Sequence, residues 1–421
     1  MERRNNAVSC FRFPLQRIAD GVHLALEKQP AKFAVLFAIV FLSCTIAIDL
    51  RSRMWIDELY TLQMARLTSS GDIVRATLEG ADGAPPLYAI LVHAILPVVR
   101  SEALAVRLPS TLGYCGMVIA LMAFCQWRMP IVYAWSAALL VCNSALWYAT
   151  AGRGYGLVLG FAAGALLCWQ AADGRRATIA IPLLSIFLGA MTALHYYAVF
   201  FVIPLFLAEL VRWRYSGRPN AGVLGALLAA PLVLGLHWPL IAATKQFQQH
   251  YWSPASWGNI PKLYSSLFAD LFVPPLVLLG LITNRQERAE ATTPGLTRPE
   301  WMAASAFLAM PAVVFLLSRY TTGVYVARYT LWAEIGIAVL VTALVCVRAR
   351  SNTVVGTALL TALMLLILGQ HAYALYQTPV LSASEGVLKE LNSLQDNSEP
   401  IVVADHHVFM ELAYYDGFVN A

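Results

Sequence analysis

Charged residues are scarce in this sequence, and its cysteines form no pattern that indicates a metal site or disulfides. Only 13% of its 421 residues are Asp, Glu, Lys or Arg, whereas about a quarter of a soluble domain is charged. The seven cysteines form no CxxC motif, no Cys/His spacing typical of a metal site and no disulfide framework. The sequence also has no low-complexity stretch and no strong internal repeat. These absences exclude a soluble globular protein and argue against a cysteine-held metal site or a repeat array.

Apolar runs are what the sequence has in abundance. Hydrophobic residues make up 59% of the chain, and the mean hydropathy is +0.63. Several runs are close to the length at which a helix crosses a bilayer. We therefore predict an all-α polytopic membrane protein with about 11 transmembrane helices. The predicted spans are 33–50, 106–127, 130–150, 154–172, 177–194, 196–211, 221–242, 264–282, 301–318, 329–347 and 354–376.

One further apolar run, Pro86–Val99, is short for a span and decides the topology. The basic clusters lie in alternate loops, so they indicate topology rather than a nucleic-acid surface. If Pro86–Val99 does not cross, every cluster lies on the same, cytoplasmic side as the basic N-terminal segment. We therefore predict a juxtamembrane helix there, within a long first outer loop (51–105). The clusters lie at 128, 175–176, 212–218, 285–298 and 348–350.

This topology divides the chain into three segments. Residues 1–32 interleave basic and apolar side chains, so we predict a cytoplasmic amphipathic segment. Residues 33–376 form the transmembrane domain, which we expect in the inner (plasma) membrane. Residues 377–421 form a short extracytoplasmic αβ tail, too short for a core of its own. Within the tail we predict a helix at 386–395, a strand at 400–404 and the start of a helix at 411–415.

Two adjacent acids, Asp57 and Glu58, lie where the first predicted span emerges into the outer loop. Trp55 and Tyr60 flank them, as amphipathic aromatic residues do at a membrane interface. Acidic side chains at this depth are costly unless they bind or react. A positioned carboxylate can act as a general base, and Asp57 lies nearer the end of the span. Ordinary solvated loop acids are the alternative interpretation.

Three arginines, Arg107, Arg153 and Arg328, each lie at the outer end of a predicted span. A guanidinium group there can hold a phosphate through two hydrogen bonds. The alternative is that these side chains reach up to the phosphates of ordinary lipids. Arginine is expected to be rare on this face, so three of them favour a dedicated phosphate site.

Other polar residues collect on the same predicted face. Asp82 lies in a turn fixed by prolines, where bonding to its own backbone is the alternative to catalysis. His195 and Tyr196 connect two spans, and a packing role is the alternative to metal or acceptor binding. Glu58 could hold a divalent cation through its oxygens, with His195 as a second ligand.

Six short motifs together resemble the GT-C glycosyltransferases of the protein-O-mannosyltransferase and aminoarabinose-transferase superfamily (family 39-type). Each motif alone is unspecific, but six in the family's order and spacing are specific. The resemblance covers roughly residues 33 to 350. The motifs are WIDELY at 55–60, Asp82 with PPLY at 85–88, RLPS at 107–110, WY at 147–148 with RGYGL at 153–157, HYY at 195–197 and RY at 328–329.

The resemblance implies a GT-C fold and a defined activity. Such enzymes transfer a sugar from a polyprenyl-phosphate carrier to an acceptor on the outer, periplasmic face, inverting the anomeric centre. Asp57 would be the general base, with Glu58 beside it in the active site. Arg107, Arg153 and Arg328 would face the donor phosphate, whose growing charge in the transition state they would stabilise. The acceptor or sugar site would include Asp82, Tyr155, His195, Tyr196 and Tyr329.

Two departures from the family pattern bear on the cofactor and the acceptor. Thr150 and Ala151 stand where relatives often have Gln-Glu, which weakens the case for a metal bridged between loops. The outer C-terminal domain, large in many relatives, is nearly absent, so glycolipid, polysaccharide and protein acceptors all stay open. A transporter or flippase of lipid-linked sugars is the main alternative, with a non-catalytic binder as the third. Transporters place polar residues mid-membrane in repeated halves, and this sequence does not.

Overall fold

The computed structural model is 80% helical in the part of the chain that it describes. These residues are 2–244, 253–261, 264–269, 271, 275, 295–377 and 406–415. Within them, a single isolated bridge between Pro254 and Val324 is the only β pairing. The predicted all-α class is therefore confirmed.

The helices follow the predicted spans closely. In chain order they are α1 (Glu2–Lys28), α2 (Pro30–Asp49), α3 (Ile56–Ala65), α4 (Ser70–Leu78), α5 (Leu87–Ile95), α6 (Glu102–Cys125), α7 (Ile131–Ser144), α8 (Trp147–Thr150), α9 (Tyr155–Ala171), α10 (Ala177–Leu194), a 3-10 helix (Tyr196–Phe201) continuing into α11 (Val202–Ser216), α12 (Ala221–Leu227), α13 (Ala229–Leu236), α14 (Trp238–Thr244), α15 (Arg298–Thr321), a 3-10 helix (Ala327–Thr330), α16 (Ala333–Arg348), α17 (Thr353–Gln377) and α18 (His406–Tyr415).

Six of these helices are long and apolar enough to cross a membrane: α2, α6, α10, α11 with its 3-10 turn, α15 and α17. Shorter apolar helices, namely α7, α9 and the pair α12–α13, occupy three more of the predicted spans. The chain is therefore a multi-pass membrane protein. Most of the predicted span 264–282 lies outside the described residues. The number of 11 spans stays a prediction.

The segment that decides the topology, Pro86–Val99, contains only the nine-residue helix α5. At 1.5 Å per residue α5 is about 14 Å long, half the thickness of the hydrocarbon core. It packs against α3 and α6: the Tyr88 hydroxyl donates to the Val106 carbonyl (2.7 Å), and the His93 ring contacts the Ala65 carbonyl (2.8 Å). Helices α3, α4 and α5 thus form a layer at one end of the bundle.

Helices α6 and α9 approach each other closely because glycines line their interface. A Cβ atom on Gly156 or Gly160 would overlap the α6 backbone at Ser110 and Gly113. Small residues four apart allow this kind of close backbone contact between helices in lipid. The packing brings the start of α9 against the start of α6, where two of the predicted site arginines lie.

The tail is described only at α18, which contains the helix predicted to begin within 411–415. The predicted helix at 386–395 and strand at 400–404 lie outside the described residues. Helix α18 packs against α3, and Leu412 is buried in that region.

Candidate active site

The start of α3 directs the two adjacent acids into different surroundings. Glu58, at the third helical position, accepts a hydrogen bond from the Trp55 backbone N–H (3.1 Å), which caps the helix. Neighbouring residues on a helix point about 100° apart. The side chain of Glu58 is 0% exposed, whereas that of Asp57 is 24% exposed. Asp57 is therefore the accessible acid of the pair.

Glu58 forms a buried, two-bond ion pair with Arg107. The Nε and Nη2 atoms of Arg107 donate to the two carboxylate oxygens at 2.8 and 2.7 Å. The Gly152 N–H also donates to Glu58 (2.6 Å). One carboxylate therefore joins α3, α6 and the loop before α9, three segments far apart in sequence.

The other donors of Arg107 are occupied by backbone. Its Nη1 donates to the carbonyls of Asp49 (2.6 Å) and Ser52 (3.0 Å), and its Nη2 donates to the Arg53 carbonyl (2.8 Å). The side chain is only 3% exposed. A phosphate would have to displace several of these bonds, each charge-assisted. Arg107 thus belongs to the framework of the site, and its predicted role as a phosphate ligand stays a prediction.

Arg153 pairs with the turn acid Asp82. Its Nη1 and Nη2 donate to the two carboxylate oxygens at 2.7 and 3.2 Å, and Nη1 also donates to Thr61 Oγ1 (3.2 Å). Asp82 accepts from the Ala84 N–H as well (3.0 Å), the local turn bond that was the alternative interpretation. Burial alone would lower the pKa of Arg153. The charge and the hydrogen bonds of Asp82 act in the opposite direction, and the net effect is a raised pKa, so the group stays charged.

The backbone of the loop before α9 is held by Ser110 on α6. The Ser110 hydroxyl donates to the Arg153 carbonyl (2.8 Å) and accepts from the Gly156 N–H (3.0 Å). The sequence pattern contained Ser110 in the RLPS motif, but nothing in it pointed to this bridging role. The serine can do this because the glycine interface lets α6 and α9 touch.

Arg328 lies beside the accessible acid. Its Nη2 is 3.8 Å from Asp57 Oδ2, and the two side chains are 22% and 24% exposed. This distance is longer than a hydrogen bond, so the pair is a charge contact. The guanidinium group also lies 5.9 Å from the centre of the Tyr155 ring. A carboxylate and a guanidinium group are thus both accessible at one place.

Aromatic rings surround this charge pair. The His195 ring lies between those of Tyr155 (5.6 Å between centres) and Tyr329 (5.1 Å), and Tyr197 stacks on Tyr329 (4.8 Å). Burial, with the charges of Arg328 and Arg153, lowers the pKa of His195 to about 3. His195 is therefore neutral at physiological pH and contributes a ring and a neutral polar atom.

Tyr196 is the predicted site residue that stands apart from this aromatic group. Among the described residues its ring contact is with His237, 6.0 Å away. Two further rings, to which the sequence assigned no role, extend this aromatic group instead. Trp147 packs against Trp55 (5.2 Å) and Tyr148 packs against Tyr155 (5.3 Å).

The donor set does not fit the predicted metal site on Glu58 and His195. Within the described ranges, no three His, Cys, Asp or Glu side chains are placed to hold a metal ion. Both oxygens of Glu58 already accept from a guanidinium group, and His195 is enclosed by tyrosine rings. A divalent cation stays a prediction.

Comparison with known proteins identifies the fold. No family model and no curated protein sequence matches the chain. The structure is similar to ArnT from Cupriavidus metallidurans in the apo state, with a TM-score of 0.58 and 13% identity over 91% of this chain and 85% of that one. It is also similar to the same protein bound to undecaprenyl phosphate, with a TM-score of 0.53, 12% identity and the same coverage. The chain therefore has the ArnT membrane fold, as the motif order predicted.

Proposed function

We propose that this protein is an inverting GT-C glycosyltransferase that moves a sugar from a polyprenyl-phosphate donor to an acceptor at the outer face of the inner membrane. The observation that carries the proposal is that the two adjacent acids, Asp57 and Glu58, lie in different surroundings. Glu58 is buried against Arg107, while Asp57 is accessible and faces Arg328. The shared fold supports the same conclusion, because ArnT has been seen bound to undecaprenyl phosphate.

Each of the two accessible charged groups, Asp57 and Arg328, has one role in the reaction. An acceptor hydroxyl oxygen attacks the anomeric carbon, and Asp57 takes its proton as the new glycosidic bond forms. The bond from the anomeric carbon to the phosphate oxygen breaks on the opposite side, and the polyprenyl phosphate leaves with the electron pair. Arg328 stabilises the charge that grows on the leaving phosphate. Arg153 adds positive charge nearby while it remains paired with Asp82.

Donor binding changes the partner of Arg328. A phosphate offers this guanidinium group a stronger, two-bond partner than a carboxylate 3.8 Å away. Once Arg328 turns to the phosphate, its charge contact with Asp57 is released, and the carboxylate can accept the proton of the acceptor hydroxyl. The tyrosine rings next to the pair, Tyr155 and Tyr329, supply flat apolar faces against which a sugar can lie.

The central test is the substitution Asp57→Asn in the purified, detergent-solubilised protein. The amide cannot take a proton, so we expect transfer to fall by about 10²–10⁴-fold, the range for loss of a general base. Asp72→Asn is the matched control. Asp72 belongs to the same loop, but it pairs with the exposed Arg75 on the surface of α4. Transfer is measured with radiolabelled polyprenyl-phosphate sugars and a membrane-lipid extract as acceptor.

Three outcomes would overturn the proposal. Transfer at the wild-type rate by Asp57→Asn would remove the base assignment. Movement of lipid-linked sugar across a vesicle bilayer, unaffected by the substitution, would establish a flippase. Donor binding by the wild type without transfer to any acceptor would establish a binder. The acceptor, whether glycolipid, polysaccharide or protein, is identified by comparing the glycolipids of a deletion strain with those of its parent by mass spectrometry.

A further inference from the structure

Helix α18 contacts the backbone immediately before α3 through Tyr415. The Tyr415 hydroxyl accepts a hydrogen bond from the Met54 N–H at 2.6 Å. The guanidinium group of Arg53 lies over the same ring, 4.9 Å from its centre. One side chain thus fixes both residues that lead into the turn of Asp57.

The neighbouring Tyr414 reaches the opposite end of α3. Its hydroxyl donates to Glu102 Oε2 (2.9 Å), and Glu102 Oε1 pairs with Arg66 (2.6 Å). Arg66 caps the C-terminal end of α3, and its guanidinium group lies 5.7 Å from the Tyr414 ring. Two consecutive tyrosines of α18 therefore hold α3 at its beginning and at its end.

The first of these contacts is continuous with the buried framework of the site. Arg53, which covers Tyr415, gives its carbonyl to Arg107 (2.8 Å). Arg107 in turn holds Glu58, the residue next to Asp57. A shift of Tyr415 would therefore move the backbone that aims the Asp57 carboxylate.

We propose that Tyr414 and Tyr415 are positioning residues that clamp α3 and set the direction of the Asp57 carboxylate. The proposal rests on the proposed function for its catalytic consequence but not for the clamp itself. Leu412 is buried, and the two hydroxyls add directional bonds. The bond of Tyr415 is at the backbone before α3, and that of Tyr414 is at Glu102, which pairs with Arg66 at the other end of α3. Directional bonds matter because a misplacement of about 1 Å at a reacting group can reduce a rate by about 10²-fold.

The test uses Tyr415→Phe and Tyr414→Phe in the full-length protein. Each variant keeps the aromatic ring and removes one hydroxyl, so folding is preserved. Phe409→Ala is the matched control, because Phe409 lies on the same helix and is 44% exposed. Hydrogen–deuterium exchange is followed in peptides covering residues 50–66, together with kcat and KM for the lipid donor.

We expect Tyr415→Phe to speed exchange at Met54, because that N–H loses its acceptor. We expect Tyr414→Phe to speed exchange near Arg66. For Tyr415→Phe, kcat should fall about tenfold while KM for the donor changes less than twofold, because Arg328 lies on another element. Phe409→Ala should change none of these quantities.

Unchanged exchange at Met54 in Tyr415→Phe would overturn the clamp. Faster exchange with wild-type kcat would overturn the positioning role. If the wild type transfers no sugar, the proposed function fails, and the exchange measurement alone then confirms or overturns the clamp.

Discussion

At the scale of single residues, a buried ion pair and an accessible one lie side by side at the start of α3. Burying Glu58 and Arg107 removes two charges from water, which is costly unless every polar atom finds a partner. Here the remaining donors and lone pairs are met by the Gly152 N–H and by the carbonyls of Asp49 and Arg53. The network is thus a rigid support for the neighbouring accessible pair, Asp57 and Arg328.

This arrangement predicts that Glu58 and Asp57 respond differently to the same change. Glu58→Gln leaves the buried Arg107 charge uncompensated, so we expect the free energy of unfolding to fall by about 3–5 kcal/mol. Asp57→Asn, on an accessible side chain, should leave it nearly unchanged. Thermal unfolding of the detergent-solubilised variants, followed by intrinsic fluorescence, measures the difference.

The double variant Glu58→Leu/Arg107→Met serves as the control for this prediction. Replacing both charges by apolar side chains removes the uncompensated charge, so stability should be partly recovered. If Glu58→Gln instead unfolds at the wild-type temperature and loses transfer, Glu58 takes part in the chemistry and the structural assignment is wrong.

At the scale of helices, the contact between α6 and α9 controls where the site loops lie. The helices touch through Gly113, Gly156 and Gly160, and Ser110 then reaches across to hold the Arg153 carbonyl. In lipid there is no hydrophobic force to bring helices together, so such close packing supplies the association. The position of Arg153 is therefore a property of the helix pair.

We expect Gly160→Ala to destabilise the protein, because its methyl group would overlap the Gly113 carbonyl on α6. Overpacking of this kind costs about 1–3 kcal/mol. Gly116→Ala, the control, introduces the same methyl group on α6, at a position with open space around the Cβ. Melting temperatures of both variants measure the effect. Equal temperatures would contradict a tight α6–α9 interface.

Apolar run length predicted most helices but missed their interruptions. The predicted span 221–242 is three short helices, α12, α13 and α14. Gly222, Gly225, Pro231 and Pro239 punctuate this stretch, yet a hydropathy count registers only apolarity. Likewise α7 ends at Ser144, whose hydroxyl donates to Glu334 (2.5 Å), whereas the predicted span ran to 150. The local sequence around Ser144 gives no sign of a hydrogen bond to a residue so distant in the chain.

The site was predictable as a set of residues but not as a set of roles. The motifs located Asp57, Arg153, His195 and Arg328, which the structure brings together around one place. They singled out Asp57 as the base, but they could not indicate that Glu58 is buried against Arg107, which lies 49 residues further along the chain. Nor could they indicate Tyr415, since no family motif covers the tail.

At the scale of the whole molecule, the polar groups of the candidate site gather at one end of the bundle. Other ion pairs lie at the opposite ends of the helices, such as Arg128 after α6 with Glu300 in α15 (2.8 Å), and Arg212 with Glu209 in α11 (2.7 Å). The orientation, with the basic loops facing the cytoplasm, stays a prediction.

The orientation makes a prediction for topology reporters. An alkaline phosphatase fused after Val99 and one fused before Arg53 should both be active, because both junctions lie outside the cytoplasm if α5 does not cross. A fusion after Arg176 should be inactive, as the control on the basic side. Opposite activities for the Val99 and Arg53 junctions would mean that Pro86–Val99 crosses the membrane.

The contact of α18 with the loop before α3 also sets the order in which the site is built. Tyr415 and Met54, which it hydrogen-bonds, are 361 residues apart. The ribosome therefore has to synthesise every intervening helix before that bond can form. Until then the loop of Asp57 lacks its last support, so a chain arrested partway through synthesis carries Asp57 and Arg328 without the contact that fixes the backbone before α3. Synthesis of α18 is therefore a late step in assembling the site.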